Sequence, residues 1–161
     1  MAEKYNLLIV DDEEPLRVIL ESELGESEEF TVDTAADGGE AINLIQAKVY
    51  DVVLLDIRMP RVSGIEVLKF LQEYSPTTQV IILTNYADVK TAIQTIKMGA
   101  YDFLAKPYDI DELFNTIHRA IERRQLFIDN KLMKSELDRK AGTSEIIGQS
   151  PAFLKLVASA T

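Results

Sequence analysis

The stretch that most constrains the fold is residues 52–60, where four consecutive apolar residues lead into Asp56 and Pro60 closes the segment. Because the apolar run shows no polar alternation, it predicts a strand covered on both faces, as in a parallel sheet flanked by helices. In such sheets ligands bind outside the carboxyl ends of the strands, and Asp56 stands at that end. The sequence therefore predicts a buried strand that presents one carboxylate at the functional edge.

Four further segments have strand character, and segments with helical spacing of apolar residues separate them along the chain. These strand segments are residues 7–10, 30–35, 80–83 and 101–105. Five strands alternating with five helices predict an α/β fold, a five-stranded parallel sheet in the order 2-1-3-4-5 with helices on both faces.

Cap residues and apolar spacing set the expected helix boundaries. Asp37 precedes the second helix, and Ser63 with Glu66 forms a capping-box pattern before the third. For the fourth helix we expect the apolar residues to point inward; they are Val89, Ala92, Ile93 and Ile96.

Polar residues follow the apolar runs of the first, third, fourth and fifth strands. They are Asp11, Asp12, Asp56, Thr84 and Lys106. Two carboxylates in contact repel by about 1 kcal/mol in water and about 4 kcal/mol near a protein surface, so a cation is expected among the acids. Oxygen ligands favour Mg²⁺ or Mn²⁺. A carboxylate, a divalent metal and a lysine are the parts needed to accept a phosphoryl group, and a threonine hydroxyl can hydrogen-bond it.

The composition narrows the classes of partner and compartment. A formal charge of −10 in 161 residues argues against nonspecific binding of nucleic acid, because an acidic surface repels phosphates. The chain has no cysteine, which excludes disulfides and thiolate chemistry. No signal peptide or apolar run of membrane-spanning length is recognisable, so we expect a cytoplasmic protein without membrane contact.

The residues at the strand ends resemble the signature of the receiver domain of two-component response regulators, over about residues 4–125. The matching residues are Asp11-Asp12, Asp56 with Met59-Pro60, Gly64, Thr84 and Lys106-Pro107. The resemblance implies a flavodoxin-like fold and phosphorylation of Asp56 by a sensor histidine kinase.

The resemblance also implies roles for individual residues. Mg²⁺ would be bound by Asp12, Asp56 and the backbone carbonyl of Arg58, with Asp11 acting through water. Thr84 and Phe103 would form the switch pair next to the phosphate-binding Lys106. The bond before Pro107 would be cis, a state accessible mainly before proline.

The residues beside the switch threonine depart from the family pattern. Asn85 stands where a small residue is common, and the bulky Tyr86 and Arg58 border the path of an attacking water. We expect these two side chains to shield the acyl phosphate and slow its hydrolysis.

The segment after the fifth strand stays compatible with a helix from Asp109 to Gly142. Apolar residues at near-heptad spacing predict a linker that dimerises, and a helix folded back on the domain is the alternative; these residues are Ile117, Ile121, Ile128 and Leu132. Dimerisation through a face of helix 4, strand 5 and helix 5 is a further expectation.

Residues 148–151, Gly-Gln-Ser-Pro, resemble the opening of the ATPase domain of sigma-54-dependent activators of the nitrogen regulatory protein C class. No Walker A loop occurs, so no ATPase activity is expected from this chain itself. The expected organisation is a receiver at 1–125, a helical linker at 126–142 and the start of an output domain at 143–161.

The same residues also admit interpretations other than a receiver. Asp56 could cap a turn, Asp11 and Asp12 could favour a helix start, and Phe103 could be plain core. A stand-alone phosphorelay receiver and a phosphohydrolase of the haloacid dehalogenase class are the alternatives, but the latter carries an acid where Arg58 stands. His118 is expected to be a surface residue.

Overall fold

The computed structural model describes residues 4–85 and 89–143, and for residues 131–143 only the backbone. Strands and helices alternate along the chain. They are β1 Tyr5–Val10, α1 Glu14–Gly25, β2 Phe30–Ala35, α2 Gly38–Ala47, β3 Val52–Asp56, α3 Gly64–Tyr74, β4 Gln79–Asn85, α4 Val89–Lys97, β5 Asp102–Lys106 and α5 Ile110–Thr143.

The strands form one parallel sheet in the order β2-β1-β3-β4-β5, as the sequence predicted. Successive residues of a strand point to opposite faces, and the two faces bury separate cores. Leu8, Val10 and Val53 pack with residues of α2, α3 and α4, whereas Leu7 and Ile9 pack with residues of α1 and α5. The central strands are apolar throughout because both faces are covered.

Two helices begin at the capping residues that the sequence predicted. The Asp37 side chain accepts a hydrogen bond from the Glu40 N–H at 2.8 Å, and Ser63 accepts one from the Glu66 N–H at 3.3 Å. Such a cap satisfies one of the N–H groups that a helix start leaves free and contributes about 1 kcal/mol. Helix α1 differs, because its N-cap residue, Glu13, makes no capping hydrogen bond with its side chain.

Helix α4 corrects one expectation about the core. Ile93 was expected to point inward, but its side chain is 47% exposed. The inward positions are held by Ala92 and Thr95, both fully buried. Thr95 can occupy an apolar site because its hydroxyl donates to the Ala92 carbonyl within the same helix.

Helix α5 corrects the near-heptad interpretation in part. Ile117 and Ile121 are buried in the core between the sheet and α1 and α5, so neither side chain is available to a dimer seam. Their spacing is that of an amphipathic helix packed on its own sheet.

The chain divides into two compact units, Met1–Arg124 and Gln125–Thr161, and α5 contributes residues to both. Within the described part of the chain, no helix is both long and apolar enough to cross a bilayer. Tyr86 and the segment 148–151 lie outside the described residues.

Candidate functional site

Three carboxylates meet at the carboxyl edge of the sheet. Asp11 and Asp12 follow β1, Asp56 ends β3, and one oxygen of each lies within 4.8 Å of the others. The sheet order makes this arrangement necessary, because β1 and β3 are neighbours and run parallel. We call these three residues the acidic corner. The sequence predicted that they would face one another.

Lys106 reaches the acidic corner from β5. Its Nζ lies 3.0 Å from Oδ2 of Asp11, which is fully buried. Lys106 and Asp11 are 95 positions apart in sequence. In the strand register Asp56 pairs with Leu83, and Lys106 pairs two positions later on β4 with Asn85. Strand alternation therefore places Asp56 and Lys106 on one face.

Asp11 is held by hydrogen bonds at every polar group. Its N–H donates to the Ala35 carbonyl at 3.2 Å, and its Oδ1 accepts from the Glu13 N–H at 2.9 Å. Its Oδ2 pairs with Lys106, and its carbonyl accepts from Nη1 of Arg17 at 2.7 Å. Both carboxylate oxygens of Asp11 therefore already have a donor inside the protein.

Asp56 is buried, with 8% of its surface exposed, and its Oδ1 accepts a 3.4 Å hydrogen bond from the Arg58 N–H. Burial raises the pKa of this carboxyl to about 7, and the charges of Asp11 and Asp12 act in the same direction. Lys106 and the Arg58 N–H oppose the rise. The carboxyl thus titrates near neutral pH unless further positive charge approaches.

Gly64 allows the backbone to close tightly beneath Asp56. The Gly64 N–H donates to the Ile57 carbonyl at 3.0 Å. A Cβ at Gly64 would overlap the carbonyl oxygen of Asp56 and lie 2.8 Å from Cα of Ile57. Any side chain here would push the β3–α3 loop away, so glycine is required for the position of Asp56.

Thr84 and Phe103 lie on one face of the sheet. In the β4–β5 register Ile82 pairs with Phe103 and Thr84 pairs with Ala105, so the side chains of all four share a face. Thr84 is 1% exposed and its hydroxyl donates to the Asn85 carbonyl at 3.3 Å. Phe103 is partly buried and packs against the core on the α2–α3–α4 side.

The other residues that the sequence analysis singled out lie at different places relative to the acidic corner. The Lys106-Pro107 peptide bond is cis. Arg58 lies two residues after Asp56, and Asn85 is exposed at the end of β4. His118 lies away from these residues, where its Nε2 is 3.1 Å from Oε2 of Glu29.

The acidic corner fits a divalent metal by its donor set. It offers carboxylate oxygens, which suit Mg²⁺ or Mn²⁺ rather than a thiolate-binding metal. When all three acids are ionised, Lys106 balances one of three negative charges. Burial is the main cause of the raised pKa of Asp56, the charges of Asp11 and Asp12 add to it, and a divalent cation would oppose the rise.

Comparison with known proteins agrees with this geometry. A family model described as the response regulator receiver domain matches residues 7–118, most of the chain. The chain belongs to the response regulator receiver family. The matched region contains all five strands except the first two residues of β1, and it includes every residue of the acidic corner.

Curated relatives of this receiver include longer regulators. The regulatory protein AtoC of Escherichia coli K12 is 34% identical over 150 residues, which are 93% of this chain and 32% of AtoC. The DNA-binding transcriptional regulator NtrC of the same strain is 35% identical over 145 residues, 90% of this chain and 30% of NtrC. The chain spans about a third of the length of these relatives.

Solved receiver structures superpose on the same fold. A response regulator receiver domain protein from Clostridium thermocellum is 31% identical, with a TM-score of 0.72 over 76% of this chain and 98% of that one. NtrX from Brucella abortus, in complex with ATP, is 29% identical with a TM-score of 0.75, over 80% of this chain and 29% of NtrX.

Sequence reasoning missed one polar residue of the site, Arg17. Its hydrogen bond goes to a backbone carbonyl, and such a contact leaves no signature in residue spacing. The available signal was a single arginine in the early turns of the helix that follows Asp11 and Asp12.

Proposed function

We propose that this receiver is a phosphorylation-controlled switch in which Asp56 accepts a phosphoryl group from a sensor histidine kinase with Mg²⁺ as cofactor. The observation that carries the proposal is the position of Asp56, buried at the sheet edge within reach of Asp11 and Asp12, with Lys106 held beside them. A carboxylate so enclosed is well placed to act as a nucleophile and poorly placed to act as a solvated surface charge.

The transfer requires an ionised Asp56. One carboxylate oxygen forms a bond to phosphorus while the bond from phosphorus to the imidazole nitrogen of the donor histidine breaks. Bound Mg²⁺ would neutralise charge on the transferring oxygens and favour the ionised carboxyl. Lys106 supplies a fixed positive charge on the same side, and we assign it to the phosphoryl oxygens once the group has arrived.

The hydrogen bonds of Asp11 support the proposed division of metal ligands. Because both of its oxygens are engaged by Glu13 and Lys106, Asp11 is better suited to act through a metal-bound water. Asp12, which is exposed, and Asp56 are then the direct carboxylate ligands, and the Arg58 carbonyl completes the protein set.

Thr84 and Phe103 are proposed as the switch pair. Movement of Thr84 toward the phosphoryl group would open space on the face that Phe103 shares, which lies on the side of α4. Dimerisation through α4, β5 and α5 is favoured by the exposed Ile93. A linker seam is also proposed, limited to Ile128 and Leu132 because Ile117 and Ile121 lie in the core.

The output assignment is a proposal that rests on the relatives. NtrC is named a DNA-binding transcriptional regulator, and the last residues of the chain resemble the start of an ATPase domain. We propose that the receiver (1–125) and linker (126–142) control an ATPase that begins near 143 and activates sigma-54-dependent transcription.

We also propose that Arg58 and Tyr86 slow hydrolysis of the acyl phosphate on Asp56, so that Tyr86→Ala shortens the lifetime of the phosphorylated form.

The test is light scattering on the chain with and without beryllofluoride and Mg²⁺, where beryllofluoride stands for the phosphoryl group on Asp56. We expect a change of molar mass in wild type. We expect none in Thr84→Ala, which lacks the hydroxyl that signals occupancy. Thr77→Ala removes a hydroxyl before β4 and should behave as wild type. An unchanged mass in wild type would contradict the switch, and a normal response of Thr84→Ala would contradict its role.

A further inference from the structure

Arg17 makes a contact that the proposed phosphoryl transfer does not use. Its Nη1 donates to the Asp11 carbonyl oxygen at 2.7 Å, from a position one turn into α1. The backbone N–H of Arg17 is bonded to the Glu13 carbonyl at 3.1 Å as part of the helix, and the guanidinium turns back over the junction between β1 and α1 to reach the Asp11 carbonyl. A charged donor on a carbonyl oxygen is among the stronger hydrogen bonds in proteins.

The junction between β1 and α1 is held by contacts other than a side-chain cap from the N-cap residue. The side chain of the N-cap residue, Glu13, accepts no hydrogen bond from the free N–H groups of the first turn. Instead, the Asp11 carboxylate accepts from the Glu13 N–H, and Arg17 holds the Asp11 carbonyl. Asp12 lies between these two fixed points, and its side chain is exposed.

The carbonyl that Arg17 holds belongs to the peptide unit joining Asp11 to Asp12. Rotation of that peptide would swing the Asp12 carboxylate away from Asp56. We propose that Arg17 is a positioning residue that fixes this peptide and thereby sets the affinity of the acidic corner for a divalent cation. The inference rests on the proposed function only in taking the corner to be a magnesium site.

Charge and geometry predict opposite effects at this residue. As a charge, the guanidinium beside three acids repels a cation, so removing it would tighten metal binding. As a hydrogen-bond donor to the Asp11 carbonyl, the guanidinium keeps the Asp12 carboxylate in position, so removing it would weaken metal binding. Loss of such outer partners of metal ligands typically weakens affinity by about 10- to 100-fold.

The experiment is calorimetric titration of the folded full chain with Mg²⁺ alone at pH 8, in wild type, Arg17→Met and Arg17→Lys. Arg17→Met should raise the Kd for Mg²⁺ by about tenfold or more. Arg17→Lys keeps the positive charge and one donor, so its Kd for Mg²⁺ should lie between those of wild type and Arg17→Met. Lys69→Met removes one positive charge from the exposed side of α3 and should leave the Kd unchanged.

The outcomes separate this inference from the proposed function. A Kd for Arg17→Met equal to or lower than that of wild type overturns the positioning role. Wild type that binds no Mg²⁺ overturns the proposed function and this inference with it. Circular dichroism checks that each variant is folded, and if Arg17→Met does not fold, a wild-type Kd for Arg17→Lys overturns the role of the forked guanidinium. If Arg17 served only stability, its replacement would lower the urea midpoint of unfolding without changing the Kd for Mg²⁺.

Discussion

Replacing Asp56 by asparagine should stabilise the metal-free protein, and the gain should grow with pH. In the folded protein the pKa of Asp56 is raised from 3.8 to about 7, mainly by burial. Asparagine keeps the shape of the side chain and cannot ionise. The substitution therefore removes the cost of ionising a carboxyl in this buried and acidic site.

The sign follows from proton linkage. Below about pH 4 the carboxyl is protonated in the folded and unfolded states, so its stabilising contribution is fully present. As pH rises toward 7 the unfolded chain releases this proton first, and the folded state of wild type loses stability relative to the variant. The pKa difference corresponds to on the order of 4 kcal/mol at most, and solvent screening at the corner, where Asp12 is exposed, lowers this to about 2 to 3 kcal/mol.

The assay is urea unfolding in EDTA at pH 5 and at pH 8, for wild type and Asp56→Asn. We expect the gain of the variant in unfolding free energy to be about 1 to 3 kcal/mol larger at pH 8 than at pH 5. Asp111→Asn, at an exposed position in the first turn of α5, is the control. Its effect on the unfolding free energy should differ little between pH 5 and pH 8. Saturating Mg²⁺ should stabilise wild type more than Asp56→Asn, because a ligand that binds only the folded state adds stability.

Two results would refute the reasoning. An equal gain at both pH values would mean that Asp56 does not titrate near neutrality. A variant less stable than wild type at pH 8 in EDTA would mean that the ionised carboxylate is satisfied within the protein.

Two further substitutions test the packing around the site and the far end of the sheet. Gly64→Ala should lower the unfolding free energy by about 2 kcal/mol, because its Cβ would overlap the Asp56 carbonyl, whereas Gly25→Ala, with open space around it, should not destabilise. The measurement is the urea midpoint of unfolding of each variant. Equal midpoints for Gly64→Ala and Gly25→Ala would contradict the overlap. Arg124→Met should cost about 3 kcal/mol, because Nη1 lies 2.8 Å from Oδ1 of the largely buried Asp51. Adding Asp51→Asn should recover part of that loss, and additive losses would contradict a direct pair.

Much of the fold was predictable because it depends on patterns that local chemistry enforces. Uninterrupted apolar runs indicated strands covered on both faces, and Asp37 and Ser63 marked helix starts through their side-chain oxygens. The meeting of Asp11 with Lys106 was also predictable, since parallel strands place their carboxyl ends at one edge.

What the sequence did not predict depends on three-dimensional neighbours. Ile93 has the spacing of a core residue, but Thr95 takes the inward site by bonding its hydroxyl within the helix. Ile117 has near-heptad spacing, but the sheet buries it. The raised pKa of Asp56 depends on how much water the fold excludes, and the contact of Arg17 ends on a backbone atom.

The most direct test of the central claim is the transfer of label from radioactive acetyl phosphate to the chain in the presence of Mg²⁺. Wild type should become labelled, and the labelled residue should map to Asp56. Asp56→Asn should take up no label although it folds, and EDTA should abolish labelling of wild type. Equal labelling of Asp56→Asn and wild type would contradict the assignment of Asp56 as the phosphoryl acceptor.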